Sequence, residues 1–166
     1  TITAAEEVRD TSAQARIEYL KIGLQMWSRR PWGVGAGNFP QFAGGYDHRR
    51  AGRDAHSTYV RCFTELGTQG FILFMVVVGS ALLMLYRMRH DLRGLSEEQQ
   101  RDVMLLSVGL MCSLAVVMGV GLTHTLLYTE FTWWFLMLPV CLWRAMDNTR
   151  GVVMPRDRPV GAMFQG

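Results

Sequence analysis

Two long apolar runs constrain any fold this chain can adopt. From Leu66 to Tyr86 only Thr68, Gln69 and Ser80 are clearly polar, and from Val103 to Leu122 only Ser107 and Ser113 are. Each run is about 20 residues, and a helix rising ~1.5 Å per residue then crosses the ~30 Å hydrocarbon core of a bilayer. Both are read as transmembrane helices. A third run, Phe131 to Trp143, reaches spanning length only if Leu126, Leu127 and Tyr128 belong to it. A buried helix or a re-entrant piece is the alternative there, but the even spacing of the runs and the basic residues beyond Trp143 favour a third span.

Arginines near short loops give the expected sidedness. The loop after the first span carries Arg87, Arg89, Arg93 and Arg101, the tail carries Arg144, Arg150, Arg156 and Arg158, and the connection Thr123 to Glu130 carries none. Loop and tail are therefore expected in the cytoplasm, and the connection and residues 1–65 outside. The chain divides accordingly into an extracytoplasmic loop region with an amphipathic helix and a Gly-rich turn (1–65), a membrane part (66–144, spans near 66–86, 103–122 and 126–143), and a disordered tail (145–166). The fold class is an all-α membrane protein with about three transmembrane helices. Residues 1–14 show neither an initiator methionine nor the apolar core of a signal sequence. The chain is thus expected to be a fragment of a larger polytopic bundle, with a further N-terminal transmembrane part as its partner. The three cysteines give neither a disulfide framework nor metal-ligand spacing.

The outer region is itself basic, from Arg9 through Arg16, Lys21, Arg29, Arg30, Arg49, Arg50 and Arg53 to Arg61. Solvated charge accounts for much of this in a long loop. The remainder suits an anionic lipid head group, because guanidinium forks match phosphate and pyrophosphate oxygens. Thr11 to Gln14 has the form of a capping box, so a helix is expected from there to about Ser28. Ala13, Ile17, Leu20, Leu24 and Trp27 share one face of it, for the membrane surface or other helices. Arg16 falls at the border of that face, where it either snorkels or clamps a phosphate. Arg30-Pro31 ends the helix. Trp32-Gly33-Val34-Gly35-Ala36-Gly37-Asn38-Phe39 follows, without the strand and spacing of a dinucleotide fingerprint. Its glycines permit an irregular path whose exposed amides could form an anion nest.

Asp54 to Gly70, DAHSTYVRCFTELGTQG, delivers a histidine, hydroxyls and an arginine to the mouth of the first span. Asp54 is placed as the cap of a helix that continues through Phe71, either unbroken or bent near Thr68. His56, Tyr59 and Phe63 share a side of it, and Gly67 and Gly70 allow another helix close approach. A lone histidine at a helix start is more often structural. The setting of His56 beside Ser57 and Tyr59, with Arg53 and Arg61 near in sequence, makes it the leading catalytic candidate, since histidine alone among these side chains takes up a proton near neutral pH. Glu130 and His124, in the outer connection, are weaker possible partners. No metal site is expected from His48, His56 and Cys62, and Asp47, Asp54 and Glu65 form no carboxylate motif.

The run His56-Ser57, then Gly67-Thr68-Gln69-Gly70, resembles the signature of the O-antigen ligase and polymerase superfamily. Arg16, Trp27 and the Pro31 to Phe39 segment are similar to the family's arginine-to-glycine stretch, and Ser57-Thr58-Tyr59-Val60 with Glu65-Leu66-Gly67 extends the match. The resemblance implies a multi-pass glycosyltransferase of the bacterial inner membrane, facing the periplasm. Its partners would be a glycan donor on undecaprenyl pyrophosphate and an acceptor such as lipid A core, with no cofactor, metal or nucleic acid. By position, His56 would be the base on the acceptor hydroxyl and Arg16 the pyrophosphate ligand, with inversion at the anomeric carbon. Arg53, Ser57, Tyr59 and Arg61 are added as substrate-binding candidates from location alone. Polymerisation of repeat units and transfer to a protein hydroxyl share the same chemistry. A different class, a non-catalytic membrane subunit, would leave the arginines on acidic lipid and His56 structural. On the enzymatic reading this stretch by itself is expected to be inactive.

Overall fold

The structure, a computed structural model, describes residues 2–153, with the side chains of 14–49 and 51–150. Every regular element among them is helical. These are α1 (Ile2–Arg29), α2 (Phe39–Ala43), α3 (Thr58–Glu65), α4 (Gly67–His90), α5 (Glu97–Val120) and α6 (Glu130–Val153), with a 3-10 turn at His48–Arg50. The described residues are thus all-α. Two helices, α4 and α5, are long and apolar enough to cross a membrane, and only 28% and 22% of their most apolar stretches is buried within the chain. A core helix of a water-soluble domain would bury most of that surface, whereas these helices leave Leu73, Val76, Leu105 and Val116 outward.

Helices α4, α5 and α6 pack on one another, and α3 joins this bundle to a smaller layer made by α1 and α2. The bundle core holds Phe74, Val78, Ala81, Leu114 and Leu136, and continues through Leu85, Met88, Val103 and Met146 towards the loop between α4 and α5. That loop ends in a capping box, where Ser96 accepts from the Gln99 amide and Gln99 returns the bond. Arg150 of α6 pairs with Asp91 at 3.2 Å and ties the same end together.

Several expectations are corrected. Helix α1 starts at Ile2, so Thr11 lies inside it and does not cap it. The face that α1 buries is Tyr19, Ile22 and Met26, nearly opposite the anticipated one on a helical wheel. Ile17, Leu20, Leu24 and Trp27 remain uncovered, so α1 is apolar on two sides. Leu126, Leu127 and Tyr128 precede α6 instead of lengthening a span, and α6 runs past Trp143 to Val153, through residues expected to be disordered tail. The rest of that expected tail, 154–166, lies outside the described residues.

Of the two alternatives for the helix through Leu66, the broken one is observed, with the break just before Thr68 between α3 and α4 and Gly67 at φ +71. The break exists because another backbone lies against it. A Cβ on Gly67 would collide with Trp32 and stand 2.7 Å from the Gly33 nitrogen, and a Cβ on Gly33, itself at φ +90, would collide with Glu65. Gly67 therefore admits a loop, not a helix, and Gly70 faces its own Leu66 side chain. Replacing Gly67 by alanine adds this collision to a left-handed penalty of about 1–2 kcal/mol. Gly67→Ala is expected to lower the melting temperature in detergent clearly, while Gly79→Ala, with open space around it, leaves it level or slightly raised.

Candidate active site

The joint between α3 and α4 is built on the Gly-rich loop. Val34 donates its amide to Thr64 O at 2.9 Å, Gly35 to Glu65 O at 3.0 Å, and Thr68 to Pro31 O at 2.9 Å. The Trp27 indole bonds Thr68 Oγ1 at 2.9 Å and the Gln69 amide bonds Trp32 O at 3.0 Å. The two glycine stretches are therefore halves of one structural joint.

At its centre lies Glu65, 1% exposed. Its carboxylate accepts from the amides of Gly37 (2.9 Å) and Phe39 (3.0 Å), from Arg61 Nη2 (2.8 Å) and from the Tyr128 hydroxyl. The glycine loop does cradle an anion with its amides, and that anion is the chain's own Glu65. Arg61 is shared with Asp54 at 3.3 Å and lies over the Tyr128 ring, 5.0 Å from its centroid. Its guanidinium is engaged within the fold, and Asp54 serves as its counter-ion instead of capping α3. The cap is Ser57, which accepts from the Val60 amide. Burial, the bond to Glu65 and that carboxylate's charge raise the Tyr128 phenol above its usual range, with Arg61 opposing. Burial first and Glu65 second push the Cys62 thiol up to about 11.

The connection after α5 is fastened to the start of α3. Thr58 donates its amide to Gly121 O (2.8 Å) and His124 O (3.1 Å). Its hydroxyl donates to His124 O and accepts from the Leu126 amide, both at 2.8 Å. Tyr59 donates to Met118 O at 2.9 Å, and burial raises its phenol. The connection and α3 therefore occupy one end of the bundle, opposite the Arg150–Asp91 end.

His56 stands just before the Ser57 cap, outside the helix that was to present it. Its φ of 50 is the single positive value among described non-glycine residues. A histidine held in the left-handed region costs about 1–3 kcal/mol, and such strain collects at functional sites. Its ring meets Tyr19 edge-on at 6.2 Å between centroids. His56 and Arg16, distant in sequence, line one open pocket of about 310 Å³ with Ile17, Leu20, Phe63 and Leu122. Ser57 and Tyr59 line it too. A neighbouring polar cavity of about 250 Å³ shares Arg16 and His56 and adds Tyr19, Thr123 and His124. Arg53 is exposed and lines neither. Tyr19 escaped the sequence reading because its helix face was taken to be polar.

A family model described as O-antigen ligase matches residues 1–75. Over this stretch, somewhat less than half of the chain, the protein is similar to the O-antigen ligase family. The matched stretch contains Arg16, the glycine loop, His56, Glu65 and Gly67. Neither a curated protein nor a solved structure matched the chain. The match and the two helices long and apolar enough to cross a bilayer together point to a membrane protein.

Two outcomes follow. Tyr128 has its phenol pKa raised above the ordinary ~10, so its contribution to stability is complete below that pH and is lost as pH climbs past it. Tyr128→Phe should cost about 1.5–3 kcal/mol at neutral pH, the range for a hydrogen bond to a charged group, and flatten the alkaline fall in a melting-temperature series. At His56, glycine relieves the left-handed strain and alanine does not, so His56→Gly should melt above His56→Ala.

Proposed function

We propose that the chain forms the catalytic region of an O-antigen ligase-type glycosyltransferase, acting on the periplasmic face of the bacterial inner membrane. The donor is a glycan on undecaprenyl pyrophosphate and the acceptor is a hydroxyl of lipid A core. What carries the reading is the meeting of Arg16 and His56 in one pocket, within the stretch that matches the family.

In the reaction, His56 takes the proton of the acceptor hydroxyl as its oxygen bonds the anomeric carbon. The bond from that carbon to the diphosphate oxygen breaks on the opposite side, and its electron pair leaves with the diphosphate. Arg16 meets the charge that builds there, which stabilises the transition state more than the ground state. Attack from the opposite side inverts the anomeric centre. The uncovered apolar residues of α1 along the pocket suit the lipid portion of the donor. Ser57 and Tyr59 border the pocket, but their polar atoms cap α3 and bond α5, so we place them as shaping residues.

Losing a general base costs ~10²- to 10⁴-fold in rate, and losing an oxyanion-type donor ~10²- to 10³-fold. The full-length protein, in cells lacking their own O-antigen ligase, should restore a lipopolysaccharide ladder. His56→Ala and Arg16→Ala, expressed at equal levels, should leave none. A near-normal ladder from either variant removes that residue's role. No ladder from well-expressed native protein rejects lipid A core as acceptor, and polymeric glycan and protein hydroxyls are then assayed.

A further inference from the structure

The α5–α6 connection brings a second imidazole to the site from outside the matched family stretch. His124 and Arg16 line the polar cavity of about 250 Å³ together with His56, Tyr19, Thr123 and Ala15. None of these six is a carboxylate. A cavity that gathers a guanidinium and two imidazoles without a counter-ion in its wall suits an anionic ligand.

His124 is held for such a role in two ways. Its backbone carbonyl accepts from both the amide and the hydroxyl of Thr58, which fixes the connection close to His56. Its Nδ1 lies 3.0 Å from Thr123 Oγ1, and the Thr123 hydroxyl is within 3.2 Å of Val120 O. With the Thr123 proton directed to Val120 O, the Thr123 oxygen accepts from Nδ1–H. Nε2 is then the ring nitrogen left to a ligand in the cavity. As an imidazolium, His124 donates through both nitrogens, to Thr123 and to the ligand.

We propose that His124 is a second ligand of the donor's diphosphate, donating through Nε2–H to a phosphate oxygen across the cavity from Arg16. This rests on the transferase reading above and adds a residue to it. Two cationic donors, from α1 and from the α5–α6 connection, would meet the leaving group, and His56 would stay free for the acceptor hydroxyl.

The test is binding of farnesyl diphosphate, with farnesol as the uncharged control, to the full-length protein in detergent, so that it does not depend on turnover. Native protein should bind the diphosphate more tightly than the alcohol. His124→Gln should weaken the diphosphate about 10-fold or more, the loss of one charge-assisted bond, and leave farnesol unchanged. His124→Arg should recover most of that loss. Arg16→Ala provides the comparison. If Arg16→Ala loses diphosphate affinity while His124→Gln binds as native, the role of His124 is wrong and the transferase reading stands. Equal loss in His124→Gln and His124→Arg also overturns it, since a restored cation should help. If native protein does not prefer the diphosphate, the proposed donor falls and His124's role with it. The substitutions keep the backbone carbonyl that Thr58 holds, and an unchanged melting temperature separates lost ligand contact from lost structure.

Discussion

A buried carboxylate holds this fold together. Glu65 sits at the end of α3 with almost no access to solvent, and an isolated charge there would be very costly. Its oxygens are satisfied from three directions, by the amides of the glycine loop, by Arg61 one turn back, and by Tyr128 from beyond α5. The donors come from the glycine loop, from α3 itself and from the α5–α6 connection, and the backbone bonds of Val34, Gly35 and Thr58 reinforce the same junction. The α1–α2 layer, the α3–α4 joint and the α5–α6 connection are thereby assembled around one anion. Removing one partner of such a buried pair typically costs ~3–5 kcal/mol, because the other charge is left stranded.

The arrangement separates side chains engaged within the fold from those left facing the pocket. Arg61, Asp54, Ser57 and Tyr59 all lie near His56 in sequence, yet their polar groups are engaged in holding helices. His56 and Arg16 are positioned by that scaffold and face an open pocket. The strained backbone at His56 fits the same division, since the Thr58 bonds on one side and the Arg61–Asp54 pair on the other fix the chain where histidine is locally unfavourable.

Much of this was legible in the sequence. The apolar runs located α4 and α5 because ~20 uninterrupted apolar residues have few other uses. The pairing of Arg16 with His56 followed from the family resemblance, and the structure brings the two to one pocket. Other features failed for physical reasons. Thr11-x-x-Gln14 and Ser96-x-x-Gln99 share one pattern, but only the second follows a chain reversal, at Gly94 with φ +77, so only it caps a helix. The apolar face of α1 was misjudged because Tyr19, Ile22 and Met26 form a second stripe opposite the first, and a one-sided helix was assumed. The glycine loop's anion was anticipated in kind, but its identity depends on a contact between residues 37 and 65 that no local pattern encodes. Arg53 and Arg61 looked alike in sequence. Only their neighbours distinguish them.

Thr58 joins the first turn of α3 to the connection between the last two helices through bonds that span more than sixty positions of chain, such as Thr58 to Leu126 at a separation of 68. Contacts this distant in sequence are made late, after the segments between them exist and have closed their loop. A ribosome that has delivered α1 through α5 has therefore produced all of the matched family stretch, while the pocket still lacks its last wall. The site comes of age only when the connection that follows α5 has brought Leu122, Thr123 and His124 to its wall and docked on Thr58, so the wall of the pocket and its distant fastening arrive as one event in the life of the chain.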